Sequence, residues 1–213
     1  MSSVHLVWST PGAEQLIVQM ARVSSPENAD NMETAPRLLK YLIKHKHWSP
    51  FEMANMCVKI STERDIAAQI IRHKSISFQE YSTRYSEAQE ISLPTFRRQD
   101  HKNRQNSFND LEPELVSSFV RRSSYLLKDL RDLYNEMIEA DVAKETARRI
   151  LPLCTKTTMY ANASLRSWIH YLQVRTDLST QQEHRGIADM IKLIFEGQFP
   201  IIAEAAFGPT SAV

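Results

Sequence analysis

The segment "MANMCVKISTERDIAAQIIRHK", Met53–Lys74, contains a strand pattern followed directly by a helix pattern. Apolar and polar residues alternate in its first half, with the apolar positions at Ala54, Met56, Val58 and Ile60. A two-residue period is typical of a half-buried strand. Thr62 and Asp65 resemble a capping box that opens the helix after the strand. This segment predicts a strand that leads into a helix.

The rest of the chain supplies more helices than strands. Val4–Ser9 reads as a strand, and Leu153–Ala161 fits either a strand or a turn. The predicted helices are Gly12–Val23, Ala35–His47, Pro113–Ala140, a shorter one that Asp141 caps and Pro152 stops, Ser164–Asp177, and one that a Thr180–Glu183 capping box opens and Gly197 ends. Phe96–Glu112 is polar and reads as an exposed connection. The predicted fold class is α+β, a helix-rich single domain over residues 1–213 with a small central β-sheet.

Polar chemistry is concentrated in "RHKSISFQEYSTRY", Arg72–Tyr85, at the end of the helix in Met53–Lys74. The segment holds four potential cations, one carboxylate and six hydroxyls. Arginine binds phosphate or carboxylate in a bidentate way, so the segment can form a site for an anionic ligand. The alternative is a solvated helix end, where the helix dipole favours cations.

A second group of arginines lies near the C-terminus, in "ARRILP" and "SLRSWIHYLQVR". Arg166 and His170 are four residues apart and therefore face the same side of a helix, whereas Arg175 lies off that side. Leu165, Trp168 and Leu172 place these cations close to apolar surface. Such arginines are typical of ligand sites or interface ion pairs, although each could instead pair with one of the 25 acidic residues.

The composition excludes several classes of function. The net charge is +1, so a nucleic-acid site would have to be local. The four glycines form neither a dinucleotide-binding nor a P-loop motif. No segment approaches the roughly 20 apolar residues of a membrane helix, and the N-terminus does not resemble a signal peptide. With two cysteines, this composition predicts a reducing, cytoplasmic location, including the cytoplasm of a host cell. The His45–His47 pair lacks partners with metal-ligand spacing, so no metal is expected.

Five motifs in order resemble flavin-dependent thymidylate synthases, also called the thymidylate synthase-complementing family. They are "ARVS" (21–24), "HWSPFE" (47–52), "QIIRHKSISFQEYSTRYS" (69–86), "ARRILP" (147–152) and "SLRSWIHYLQVR" (164–175). The third motif matches the family signature, in which Arg-His-Arg is followed by seven residues and a serine. Lys74 stands in place of the arginine at the third position of that signature, Gln79 in place of an asparagine, and Ser164 in place of an asparagine in the last motif.

The resemblance implies reductive methylation of dUMP to dTMP by a homotetramer with active sites shared between subunits. The carbon donor is 5,10-methylenetetrahydrofolate, and NADPH is the reductant through FAD. The implied FAD contacts are Ser49, Arg72, His73, Lys74, Glu80, Ser164, Arg166 and His170. The implied dUMP contacts are Gln69, Arg72, Glu80, Ser82, Arg84, Arg148 and Arg175. Of these, Arg175 matches the catalytic arginine that polarises uracil. Ser24 and His47 are implied on the folate or nicotinamide side.

Three alternatives stay open at this stage. A thymidylate synthase could use a cysteine nucleophile, for which Cys154 is the candidate, although only Lys156 lies nearby to lower the pKa of its thiol. The cations could instead bind nucleic acid, although few aromatic residues lie between them. The chain could also be a flavin oxidoreductase without thymidylate activity.

Overall fold

A computed structural model describes residues 2–209 and confirms the predicted fold class, helix-rich with a small β-sheet. The strands are β1 Ser3–Ser9, β2 Asn55–Glu63, β3 Ser77–Glu80, β4 Arg98–Gln99, β5 Ser107–Phe108 and β6 Lys156–Ser164. The α-helices are α1 Ala13–Ala21, α2 Ala35–Lys44, α3 Arg64–Ile70, α4 Pro113–Glu139, α5 Lys144–Ala147, α6 Leu165–Arg175, α7 Gln182–Gln198 and α8 Pro200–Phe207. Short 3₁₀ turns cover Pro26–Asn28, Ser49–Glu52 and Arg148–Ile150.

The larger sheet has the strand order β1-β2-β6-β3. The N–H of Leu165 donates to Ala54 O, and the N–H of Arg64 donates to Thr155 O, so β2 and β6 run antiparallel. β2 leads into α3, and β6 leads into α6, with no intervening loop residue. The alternation predicted for β2 is confirmed, but Cys57 on its other face is also buried.

The described residues fall into two compact units. Unit 1 contains Ser2, Ser61–Ile70 and Glu80–Met159, and unit 2 contains Ser3–Ile60, Ile71–Gln79 and the described residues from Tyr160 onward. In unit 2, α7 packs against β1, α6 and α8, and α2 packs against α8. The predicted single domain over residues 1–213 stays a prediction.

Buried aromatic side chains fill unit 2, among them Phe51, Trp168, Tyr171, Phe195 and Phe199. The predicted apolar stripe of α6 is confirmed, because Leu165, Trp168, Ile169 and Leu172 are all at most 1% exposed. The indole N–H of Trp168 donates to the carbonyl of Met56, at 2.9 Å, which attaches α6 to β2. The helix that carries the C-terminal cations is therefore firmly held.

Unit 1 is less well packed. Tyr134 is the one buried residue of α4 in the described structure, although that helix has 27 residues. The side chains of Leu115, Tyr125, Leu126 and Leu133 are between 43% and 67% exposed. A long helix with so much exposed apolar surface is typical of a surface that a partner covers.

Several predicted boundaries are wrong. Asp141 does not cap a following helix: it ends α4 with φ 56°, and Val142 N–H donates to Met137 O as in a Schellman motif. Lys46 ends α2 in the same way, with φ 60°. Thr180 bonds to Val174 O instead of capping α7, which begins at Gln182. Gly197 lies inside α7, since that helix continues to Gln198.

Two further segments differ from their prediction. The connection Phe96–Glu112 contains an antiparallel pair, β4 with β5. The segment left open between strand and turn forms β6, in which Thr157, Met159, Ala161 and Ala163 are buried alternately. The sequence did not decide between a strand and a turn because threonine is polar and obscures the alternation of apolar and polar residues. Its β-branched shape nevertheless suits a sheet.

Candidate active site

The helix α3 ends at Ile70, so Arg72, His73 and Lys74 lie in a turn and not at a helix end as predicted. The N–H of Ile76 donates to the carbonyl of His73 at 3.1 Å, and β3 begins at Ser77. Arg72 and Lys74 are exposed, whereas His73 is half-buried. The turn therefore directs the imidazole inwards and the two flanking cations outwards.

Arg175, at the last position of α6, makes a hydrogen bond to His73. Its Nε–H donates to Nε2 of His73 at 2.8 Å. An arginine can only donate, so Nε2 of His73 must carry a lone pair and the ring must be neutral. Burial, with the charges of Arg175 and His170, lowers the pKa of His73 to about 4. The bond therefore persists at neutral pH.

Behind His73 lies a buried pair that the sequence analysis missed. The ring of Tyr171 packs edge-on against His73, with centroids 4.8 Å apart. The hydroxyl of Tyr171 lies 3.1 Å from Nε2 of His184, and neither side chain is exposed. Burial lowers the pKa of His184 to about 4 and raises the pKa of Tyr171. Tyr171 lies outside the predicted apolar stripe of α6, and His184 comes from a different helix.

A cavity of about 440 Å³ opens on the neighbouring face of α6. Its lining is Trp48, Glu52, Ser75, Arg166, Ser167, His170 and Gln173. Arg166 and His170 were predicted to face the same side of the helix, and both line this cavity. Its size falls in the range of small-molecule sites in proteins.

Glu52 holds two of the predicted site residues. It accepts hydrogen bonds from the hydroxyl of Ser164 at 2.7 Å and from Nη1 of Arg166 at 2.7 Å. The bond from Ser164, with the bond and charge of Arg166, lowers the pKa of the Glu52 carboxyl. Its sequence signal was the "HWSPFE" motif, whose final residue is Glu52.

A second cluster of predicted residues lies in unit 1. Glu80 accepts a hydrogen bond from the buried hydroxyl of Thr157 at 2.9 Å. Nη1 of Arg148 donates to the buried Thr83 at 3.4 Å, and Ser82 accepts the backbone N–H of Arg84 at 3.3 Å. The residues of Glu80–Arg84 and Arg148 thus form one polar surface within this unit.

Arg84 makes an ion pair with Glu145, with 3.0 Å between Nη2 and Oε2. The two side chains are 58% and 57% exposed. An exposed pair of this kind contributes roughly 0–1 kcal/mol, so a phosphate group can displace the carboxylate. Arg84 is therefore available to an anionic ligand.

The remaining predicted residues are placed as follows. Gln69 lies in α3 and is half-buried. Ser24, His47 and Ser49 are exposed: Ser24 follows α1, His47 follows the Schellman turn of α2, and Ser49 opens the 3₁₀ turn that contains Glu52. Ser49 is thus close in sequence to the lining of the cavity, and no described contact connects Ser24 to it.

Neither cysteine resembles an activated nucleophile. Burial raises the pKa of the Cys57 thiol. Burial, with the charges of Asp65 and Glu63, raises the pKa of the Cys154 thiol. Lys156 lies at 2.9 Å from Glu63, so its charge is already paired. Both thiols are therefore protonated at neutral pH.

Over residues 2–209 the structure contains no cluster of three or more His, Cys, Asp or Glu side chains arranged to hold a metal ion. None of the helices in this range is both long and apolar enough to cross a bilayer.

Residues 5–201 match the family described as thymidylate synthase complementing protein. The chain belongs to this family. It is 48% identical over 194 residues to the probable flavin-dependent thymidylate synthase of Paramecium bursaria Chlorella virus 1, covering 91% of this chain and 90% of that protein. It is 47% identical over 192 residues to the flavin-dependent thymidylate synthase of Synechocystis sp., covering 90% and 88%.

A solved structure has the same fold. The UMP/dUMP methylase PolB from Streptomyces cacaoi, bound with 5-Br dUMP, superposes with a TM-score of 0.86 at 26% identity, covering 100% of this chain and 98% of that chain. The match to this family confirms the resemblance found in the sequence.

Proposed function

We propose that this chain is a flavin-dependent thymidylate synthase. It methylates dUMP reductively to dTMP, with carbon from 5,10-methylenetetrahydrofolate and hydride from NADPH through FAD. The observation that carries the proposal is the bond from Arg175 Nε to His73, which fixes the guanidinium by one edge. Its terminal Nη groups, which make no hydrogen bond within residues 2–209, remain to donate to the uracil ring. A fixed cation there stabilises the negative charge that develops as C5 becomes nucleophilic.

The lining of the cavity fits part of a phosphorylated flavin. Arg166 and His170 offer donors to phosphate oxygens, Ser75 and Gln173 offer smaller polar groups, and Trp48 offers an aromatic surface. The Glu52 charge opposes an anion, but its hydrogen bonds to Ser164 and Arg166 offset part of it. The proposed FAD contacts are Ser49, Arg72, His73, Lys74, Glu80, Ser164, Arg166 and His170. FAD, when bound, supplies hydride transfer, and the protein supplies orientation and charge.

The proposed dUMP contacts are the residues that the family resemblance implies: Gln69, Arg72, Glu80, Ser82, Arg84, Arg148 and Arg175. Arginine forks are suited to the dianionic phosphate of dUMP. Ser24 and His47 are proposed for the folate or nicotinamide side, and both are exposed.

The reaction is proposed to proceed without a cysteine nucleophile. Burial holds both thiols in the protonated form, and the Cys154 thiol also faces the charges of two carboxylates. A thiol needs a neighbouring cation or base to attack a pyrimidine. Lys156, two residues from Cys154, is paired with Glu63, which supports activation of uracil by charge.

A homotetramer is also proposed, with active sites that draw on more than one subunit. The exposed apolar side chains of α4 support it, because such surface is costly in water. Light scattering on the purified protein measures the mass directly. A monomer at micromolar concentration would contradict this part of the proposal.

The function is tested by measuring flavin absorbance and dTMP formation on one sample of purified protein. The protein should be yellow, should bleach with NADPH, and should convert dUMP to dTMP when methylenetetrahydrofolate is present. A yellow protein that oxidises NADPH without forming dTMP is instead a flavin oxidoreductase. A colourless protein that shifts RNA in a gel is instead a nucleic-acid-binding module.

A further inference from the structure

His73 accepts the Nε–H of Arg175, and this bond requires a neutral imidazole ring. Within residues 2–209, the charged or titratable groups that act on His73 or pack against it are Arg175, His170 and Tyr171 on α6, and His184 on α7. None of these is a carboxylate that would stabilise a protonated ring. The state of His73 therefore depends on the side chains packed behind it.

Tyr171 provides an apolar wall to His73. The two rings meet at 4.8 Å with an interplanar angle of 74°, which keeps water away from the side of His73 that faces the core. Trp168 supports Tyr171 from another side, with ring centroids 5.6 Å apart and an angle of 90°. Removing water from an imidazole disfavours its charged form.

His184 holds the phenol of Tyr171 in this position. The bond between the hydroxyl and Nε2 of His184 is fully buried, so breaking it leaves the phenol oxygen of Tyr171 without this partner. His184 lies in the first turn of α7, where the positive end of the helix dipole disfavours a second cation. Both side chains are consequently neutral at neutral pH.

We propose that Tyr171 and His184 are positioning residues that keep His73 as the hydrogen-bond acceptor of Arg175. The catalytic consequence rests on the proposed function, because it assumes that Arg175 acts on the uracil ring. Protonation of His73 would remove its acceptor and place two cations side by side, and Arg175 would then leave its position. The pair thereby protects the geometry of Arg175 against mild acid.

The test uses the flavin-loaded protein and two variants, Tyr171→Leu and Tyr171→Phe. NMR of histidine labelled at Cε1 follows the titration of His73 directly. In Tyr171→Leu, water reaches the ring, and the pKa of His73 should move from about 4 towards its usual value near 6.5. Tyr171→Phe keeps the ring but loses the bond to His184, so a smaller shift in the same direction is expected.

Activity provides the second measurement. At about pH 5.5, dTMP formation by Tyr171→Leu should fall roughly tenfold relative to wild type, because a histidine with a pKa near 6.5 is then about 90% protonated. At about pH 8.5 the two proteins should agree within roughly threefold, since His73 is neutral in both. Tyr160→Phe, on the exposed part of β6, is the matched control and should show neither change.

Two results would overturn the proposal: an unchanged His73 titration in both variants, or an equal loss of dTMP formation at every pH. If Tyr171→Leu fails to fold, the Tyr171→Phe titration decides alone. If wild type forms no dTMP, the function fails, while the NMR titration still tests the positioning pair.

Discussion

The guanidinium of Arg175 and the imidazole of His73 are joined by a 2.8 Å hydrogen bond, although 102 residues separate them in the chain. The bond connects the end of α6 to the turn that follows α3. It fixes which edge of the arginine remains available to a ligand.

Replacing Arg175 by alanine should abolish dTMP formation while FAD remains bound. Loss of one preorganised donor to a developing anion lowers turnover by roughly 100- to 1,000-fold. Flavin absorbance and an assay of dTMP measure the two effects separately. Lys40→Ala, at an exposed position of α2, is the control for loss of a cation. Full turnover by Arg175→Ala would remove the role proposed for Arg175.

The double variant Cys57→Ala/Cys154→Ala should keep measurable activity. Burial raises the pKa of both thiols, so their removal should take away packing and not chemistry. Loss of a small buried group lowers stability by about 1 kcal/mol, which calls for an assay well below the melting temperature. If the folded, flavin-loaded double variant were inactive, a cysteine mechanism would be the better explanation.

Glu145→Gln should tighten dUMP binding. The carboxylate of Glu145 competes with the ligand phosphate for Arg84, and an exposed pair accounts for at most about a fivefold change in KM. Arg84→Ala should raise the KM instead. The matched control is Asp132→Asn, which breaks an exposed pair with Lys128 on α4. An unchanged KM in both Arg84→Ala and Glu145→Gln would place Arg84 outside the binding surface.

Stability should decline as the pH falls from about 6.5 towards 4. His73 and His184 each have a pKa of about 4 in the folded protein, below the usual value for histidine. The unfolded chain therefore binds more protons in this range, and the free energy of unfolding must fall with the pH. Urea titrations at several pH values measure it. His184→Asn should give a shallower pH dependence, and an unchanged slope would contradict the assignment.

Lys46→Gly should stabilise the protein. Lys46 ends α2 with φ 60°, a left-handed conformation that costs an ordinary residue about 1–2 kcal/mol and glycine almost nothing. Glycine loses more conformational entropy on folding than lysine does, which offsets part of this gain. The free energy of unfolding should therefore rise by about 0.5–1 kcal/mol. Thermal unfolding measures it. Lys44→Gly, inside the same helix, should lower the melting temperature, and the same sign for both variants would contradict this explanation.

Local patterns predicted the elements that carry the site. The apolar stripe of α6 and the shared side of Arg166 and His170 follow from helical spacing, and both are confirmed in the structure. Contacts between distant segments were not predictable in this way. The hydrogen bonds that Glu52 accepts from Ser164 and Arg166 span 112 and 114 residues, and no local period relates these positions.

The sequence also concealed the ends of several elements. Asp141 and Lys46 take a conformation usually reserved for glycine, so neither residue type indicated a helix end. His73 reaches Arg175 only because the chain turns after Ile70. The sequence pattern instead predicts a helix that continues to Lys74. In each case a tertiary contact or an unusual backbone conformation overrode the local preference.

The direct passage from β6 into α6 has a consequence for how this protein can change. With no linker at Ser164–Leu165, the strand sets the rotational phase of the helix. One inserted residue would turn every later side chain by about 100° and advance it by about 1.5 Å. Arg166, His170 and Arg175 would then lose their directions together. Insertions and deletions at this junction should therefore be excluded, and only substitutions can be tolerated there.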